Sequence, residues 1–322
     1  MTNTKDRVAV IGAGMAGLSC AAALCAQGMA VTLFDKGRGP GGRMSTRRVQ
    51  TPLGEMAFDH GAQYFTVRDA GFGALVQDLA SRGLVAPWPA AGPDAWIGTP
   101  GMSAVIKGMA TPRDVRWHTT VDRIEPSAEG WLVKAGTVAF AGFDAVVLAV
   151  PAEQALPFLS LYDFHMARQA MLARSQPCWT AMFAFARPLP GTTDMVRDRG
   201  NLGWAARNLA KPERTGPEGW VVQARPEWSQ QHIEDEPAAV ASLLLAELSA
   251  ALGCTLPEPA SRSAHRWRYA MNAGLDLGAL WNAGRGLGVC GDWLLGPRVE
   301  CAWLSGQQLA QAMLDKPARA AA

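Results

Sequence analysis

Val8-Ala9-Val10-Ile11-Gly12-Ala13-Gly14-Met15-Ala16-Gly17, followed by Val31-Thr32-Leu33-Phe34-Asp35, decides how this chain folds. The four apolar residues ending at Ile11 predict a short buried strand. Met15 to Gln27 predict a helix that Gly28 stops, and Val31 to Phe34 predict a second strand. Strand, helix and strand in such quick succession form a βαβ unit, which implies a parallel sheet.

The spacing Gly12-x-Gly14-x-x-Gly17 is weak evidence on its own. Gly37, Gly39 and Gly42 repeat it, with Pro40 inside and no helical pattern behind. Position separates the two. The first set lies between a strand and a helix, and Asp35 ends the next strand, where a carboxylate meets the ribose hydroxyls of a bound dinucleotide. Glycines let the backbone approach the pyrophosphate, and the helix N-terminus favours its charge.

Working outward, Phe72 to Ala80 and Met102 to Met109 read as helices, and Pro87 to Pro100 as a loop. Val115 to Phe143 reads as short strands cut by Gly130, Gly136 and Gly142. Asp144 to Val150 is a near-continuous apolar run ended by Pro151, as in a central parallel strand. A helix is expected near Ala238 to Leu252, a buried strand at Leu287 to Cys290, a closing helix at Glu300 to Leu314 and a frayed tail from Lys316 to Ala322. With 322 residues, two domains are expected.

Composition excludes several classes. Lys plus Arg is 30 against 28 acidic residues, with no basic run longer than two, so no nucleic-acid surface is expected. The six cysteines form no Cys-x-x-Cys pair and no histidine cluster accompanies them, so no metal site is expected and a reducing cytoplasm is the simplest location. The apolar run from Val8 to Val31 is broken by four glycines, and no membrane span is expected. No feature sets an oligomeric state.

Gly41-Gly42-Arg43 separates FAD from NAD. A glycine pair and an arginine just after the ribose carboxylate resemble the second FAD motif of glutathione-reductase-like flavoproteins, above all the flavin amine oxidase superfamily. The expected fold is therefore α/β: a glutathione-reductase-like FAD-binding Rossmann domain with a second, mixed-sheet substrate domain. The division expected is 1–70, 100–155 and 262–322 for FAD, and 71–99 with 156–261 for substrate. Near the C-terminus, Cys290-Gly291-Asp292 ends a strand, and Val299-Glu300-Cys301-Ala302-Trp303-Leu304-Ser305-Gly306 opens a helix. In that superfamily such an Asp holds the ribitol or pyrophosphate end, and the helix N-terminus faces the flavin.

Phe34-Asp35-Lys36-Gly37-Arg38, Gly41 to Ser45, Asp59-His60-Gly61-Ala62-Gln63-Tyr64-Phe65-Thr66 and Gly291-Asp292-Trp293 together resemble the renalase-like enzymes, most closely their bacterial branch. Pro100 to Ser103, Ala264 to Trp267 and Arg298 to Gly306 agree, while Cys301 departs from the usual small residue. The resemblance implies non-covalent FAD, oxidation of misreduced dihydronicotinamide isomers of NAD(P)H, and transfer of both electrons to dioxygen to give hydrogen peroxide. The partners implied are a small dinucleotide substrate and dioxygen. Cofactor contacts are expected at Gly12, Gly14, Met15, Ala16, Gly17, Asp35, Lys36, Gly42, Arg43, Gly61, Ala62, Gln63, Val121, Asp292, Glu300 and Ala302.

No catalytic residue stands out, since hydride loss from a dihydronicotinamide creates an aromatic cation without a base. Substrate candidates are Tyr64, His265, Trp267 and Arg298. Alternation puts His265, Trp267 and Tyr269 on one strand face, either at the nicotinamide or in an aromatic core. Arg298 either faces the substrate or bridges at the helix start. Lys107 reads as solvated. Competing readings are a flavin amine oxidase or desaturase, and a flavoprotein that binds FAD without turnover.

Overall fold

The computed structural model describes residues 6–111, 113–189 and 193–315. The Lys316 to Ala322 tail lies outside the described residues. At the centre is a six-stranded sheet in the spatial order Leu280–Asn282, Leu287–Val289, Ala145–Leu148, Arg7–Ile11, Ala30–Phe34, Asp114–Arg116. All neighbours are parallel except the first pair.

Alternation along the central strands feeds two cores. Val8, Val10 and Val147 pack with the helices Met15–Ala26 and Val299–Leu314 on one face. Ala9, Ile11, Val146 and Leu148 pack with Leu159 and Met166, of the helices Ala152–Tyr162 and Phe164–Leu172, on the other. Burial on both faces is why Val8 to Ile11 and Ala145 to Leu148 carry no polar residue. Gly12, Asp35, Ala149 and Cys290 follow four adjacent strands at the same sheet edge, the edge where α/β folds bind ligands.

A second sheet has five antiparallel strands: Met195–Arg199, Leu202–Arg207, Glu218–Ala224, Gln176–Phe185 and Ser261–Met271, in that spatial order. Trp179, Ala181, Phe183, Ala205 and Val222 bury one face under the helix Pro237–Leu252. The opposite face meets the segment running from Met56 to Tyr64.

Three segments sit elsewhere than the expected division. Ser261–Met271 pairs with Gln176–Phe185, so it belongs to the second sheet rather than to the FAD-binding part. Its alternating pattern marks a half-buried strand but does not say which sheet accepts it. The helices from Ala152 to Leu172 pack on the central sheet, although the expected substrate domain began at 156. Phe72, Val76 and Leu79, also expected on the substrate side, join the core under the first helix. Within the expected Pro87–Pro100 loop, Ala95–Gly98 forms a strand against Phe65–Thr66 and Val85–Pro87. The hairpin Thr46–Thr51 with Gly54–Asp59 was not anticipated as strands.

Candidate cofactor and substrate site

The first turn is shaped by contacts only glycine tolerates. Gly12 has φ +105° and donates its N–H to Phe34 O at 2.8 Å. A Cβ on Gly17 would lie 2.0 Å from Gly12 O, so the helix rests directly on the turn. Gly14 is different: nothing lies within 4 Å of the position its Cβ would take. Gly14 is also the helix N-cap, with no side-chain capping bond, and no acidic residue occupies the first turn. Free N–H groups and open space together suit an anion. Met15 and Ala16, in that turn, are buried.

Asp35 braces this loop. Its Oδ2 accepts from Ala13 N–H at 2.8 Å and its Oδ1 from Gly37 N–H at 2.7 Å. A carboxylate has about four acceptor positions, so capacity remains for two hydroxyls. Thr119 donates its N–H to Asp35 O, which brings the Val121 loop alongside. Lys36 is exposed and reaches Gln154 Oε1 at 3.4 Å. Gly42, at φ +54°, turns the glycine pair back so that its Cβ position is 3.9 Å from Gly14 Cα.

Arg43 and Asp292 join the two ends of the chain. Arg43 forks onto Asp292 at 2.8 and 2.6 Å and also reaches Ala270 O at 3.3 Å. Two planar charged groups matched in geometry give the strongest type of ion pair. Glu300 is 1% exposed and spent on protein partners: Oε1 accepts from the N–H groups of Arg68 and Asp69, both at 2.7 Å, and Oε2 pairs with Arg298 at 3.0 Å. Glu300 thus ties the last helix to the 68–69 loop, and Arg298 bridges at the helix start. Ala302 is buried one turn further on. That helix crosses the first one closely; a Cβ on Gly306 would lie 2.3 Å from Ala16 O.

The Gly61–Gln63 turn is pinned from three sides. Ala62 donates its N–H to Arg43 O at 2.8 Å, and a Cβ on Gly61 would meet that same oxygen at 2.0 Å. Gly61 O accepts from Gln63 Nε2 at 3.0 Å and from Gln223 Nε2 at 2.7 Å. Gln223 belongs to one rank across the second sheet, set by strand register: Arg197, Trp204, Gln223, Thr180 and His265. Arg197 lies 4.8 Å from the Trp204 ring centroid and 5.4 Å from that of Tyr64. His265 packs on His60 at 4.9 Å and on Trp267 at 4.5 Å, and Trp267 Nε1 donates to His60 O at 2.7 Å. Arg266 and Arg268 face away and bind Glu234.

The histidines here are held neutral. Burial, then His265 and Arg47, push His60 down to about 4. Burial and Arg47 push His265 down as well. Burial pushes the Cys178 thiol, two residues from Thr180, up to about 11 and keeps it unreactive.

Comparison with known proteins fits this geometry. Residues 10–79 match the NAD(P)-binding Rossmann-like domain, and residues 90–314 match the flavin containing amine oxidoreductase family. The chain belongs to the flavin-containing amine oxidoreductase family. Among solved structures, a candidate protoporphyrinogen oxidase from Exiguobacterium superposes with a TM-score of 0.76 at 12% identity, covering 97% of this chain and 100% of that one. Cyclohexylamine oxidase from Brevibacterium oxydans gives 0.72 at 14%, covering 96% and 98%. A putrescine oxidase redesigned at its cofactor site gives 0.70 at 14%, covering 97% and 100%. At these identities the likeness is one of fold.

FAD is the cofactor of this family member. The open space at Gly14, the uncapped first turn and the spare acceptors of Asp35 fit its pyrophosphate and ribose. Among the described residues no group of three metal-ligating side chains occurs, and no helix is long and apolar enough to cross a membrane. Sequence reasoning missed His60, Thr180, Arg197, Trp204, Gln223 and a buried trio of Asp59, Lys211 and Arg214. For the rank across the sheet, strand register is the signal, and it is not visible before the strands are paired.

Proposed function

We propose that this chain is an FAD-dependent oxidase of dihydronicotinamides, taking hydride from misreduced isomers of NAD(P)H and passing both electrons to dioxygen. The products are NAD(P)+ and hydrogen peroxide. The observation that carries the reading is the floor of the site, where aromatic rings are flanked by arginines. Arg197 lies over Tyr64 and Trp204, and Arg47 is near enough to disfavour charge on His60 and His265. Guanidinium groups repel a protonated amine and attract phosphate, which a dinucleotide carries.

FAD, when bound, supplies the two-electron acceptor. The chain's own residues then need only orient the donor and exclude water, because a dihydronicotinamide leaves as an aromatic cation. Neutral His265, Thr180 and Gln223 suit that limited task. Tyr64 and Trp267 offer flat faces for the nicotinamide ring, and Arg298 with Arg197 offers cations for phosphate or carboxamide. The proposed location is the cytoplasm, where the six free cysteines stay reduced.

The test is anaerobic mixing of the holoenzyme with candidate donors while flavin absorbance is followed. Rapid bleaching by the dihydronicotinamide isomers, then peroxide on admitting air, is the expected result. Bleaching by simple amines alone would replace this reading with amine oxidation, and no bleaching by either would favour binding without turnover.

A further inference from the structure

Asp59, Lys211 and Arg214 meet where water is shut out. The side chains of Asp59 and Lys211 are 0% exposed and that of Arg214 is 3% exposed. Asp59 Oδ2 takes Arg214 Nη2 at 2.6 Å and Lys211 Nζ at 3.4 Å. Its Oδ1 accepts from Thr46 Oγ1 at 2.7 Å and from Met102 N–H at 2.9 Å. Arg214 also donates to Gly98 O at 2.9 Å and Pro212 O at 3.2 Å. Burial alone would raise the Asp59 carboxyl, but Lys211 and Arg214 outweigh it and bring it down to about 2.

One carboxylate therefore serves two cations. The remaining neighbours of Lys211 are acceptors: Gln63 Oε1 at 3.0 Å and the face of Trp88 at 5.6 Å. Burial, with Arg214 adding to it, lowers the Lys211 ammonium, and Asp59 opposes both. With both basic groups protonated, one carboxylate against two cations leaves an excess of one positive charge in a region where charge is expensive to keep unpaired. It reaches the cofactor cradle through one side chain. Gln63 Nε2 donates to the carbonyl oxygens of Asp59 and Gly61, at 2.5 and 3.0 Å, while Lys211 holds its Oε1. Gly61, in turn, is pressed against Arg43.

We propose that the Asp59–Lys211–Arg214 trio is an electrostatic element of the FAD site. Its excess positive charge favours the reduced cofactor, which retains a negative charge after accepting a hydride, and Lys211 acts as a positioning residue for the Gly61–Gln63 turn. The inference goes beyond the choice of donor and holds for any substrate.

The test is the two-electron potential of bound FAD, measured by spectroelectrochemical titration of the holoenzyme without any donor. Lys211→Met takes the trio from +1 to 0. The equilibrium constant for reduction is expected to fall at least tenfold, a shift of about 30 mV to more negative potential. Asp59→Asn takes it to +2 and is expected to shift the potential the other way. Lys211→Arg keeps the charge and is expected to stay near the wild-type value. Unchanged potentials in Lys211→Met and Asp59→Asn would overturn the inference. So would shifts of the same sign, or folded variants that all lose FAD, since the trio would then be structural support alone.

Discussion

Arg43 and Asp292 are separated by 249 positions in the chain and joined by two hydrogen bonds of 2.8 and 2.6 Å. The bond fastens the glycine-pair turn of the N-terminal part to the strand end of the C-terminal part. Asp292→Ala leaves a guanidinium without its fork partner. Hydrogen bonds to charged groups contribute about 1.5–3 kcal/mol, and partial exposure of Arg43 places this pair toward the lower end. FAD affinity is expected to fall roughly tenfold or more, read by fluorescence on titrating apoprotein with FAD. Arg43→Lys is expected not to restore it, since an ammonium cannot make the planar fork. Wild-type affinity in both variants would detach this pair from the cofactor.

Two glycines of the same motif are expected to respond in opposite ways. Gly17→Ala drives a Cβ into Gly12 O, where backbone cannot yield, and overpacking of this kind costs about 1–3 kcal/mol or more. A fall in Tm of about 4 °C or more is expected even without FAD. Gly14→Ala meets no protein atom within 4 Å, and its φ of −82° suits alanine. Its apoprotein is expected to melt like wild type while binding FAD at least about tenfold more weakly, because the methyl occupies pyrophosphate space. A Gly14→Ala protein with full FAD affinity would show that the dinucleotide takes another path.

His60 sets an acid limit. Its folded value of about 4 lies below the ordinary 6.5, so the unfolded chain binds more protons between those values. Stability is complete above pH ~6.5 and is lost as pH falls toward 4, by about 3 kcal/mol if the whole displacement is realised. Asp59, down to about 2, adds a separate loss below pH ~4. His60→Asn keeps a donor for Ser45 O but does not titrate. Its Tm is expected to change less between pH 6.5 and 4 than that of the wild type. Parallel curves would acquit His60 of the effect.

The roles proposed for Arg197 and Arg298 toward the donor are separable. Arg197 stacks on Tyr64 and Trp204, whereas Arg298 is paired with Glu300. Arg197→Ala is expected to raise KM for dinucleotide donors about 5- to 20-fold, equivalent to roughly 1–2 kcal/mol, with FAD binding intact. Arg298→Ala is expected to have a smaller effect on KM and to lower Tm, since buried Glu300 loses a partner. An Arg298→Ala defect in KM alone, with Arg197→Ala silent, would move the phosphate contact to the helix start.

The βαβ opening was legible because its signals are local. A strand, a glycine turn, a helix and Asp35 fall within three dozen residues, and each has its own periodicity. Cys290 to Asp292 and the last helix were readable for the same reason. The rank across the second sheet was not. Thr180, Trp204 and Gln223 share a rank only once three strands have paired, and nothing in the local sequence of each marks it. Lys211, followed by Pro212 and Glu213, has the composition of a solvated loop, yet it is buried against Asp59, 152 positions away. The membership of Ser261–Met271 was misjudged because its neighbours in sequence, not its pairing partner, suggested a domain.

The crossing of the last helix over the first, with Gly306 against Ala16 O and Asp292 closing on Arg43, bears on biosynthesis. On the ribosome, the half of the cradle that carries Arg43 stays incomplete while the 249 positions to Asp292 are made. Only when the segment carrying Asp292 and Gly306 has left the tunnel can the two halves shut. Closure of the cradle therefore waits for synthesis to pass Gly306, and chains cut short of Asp292 are expected to hold FAD poorly.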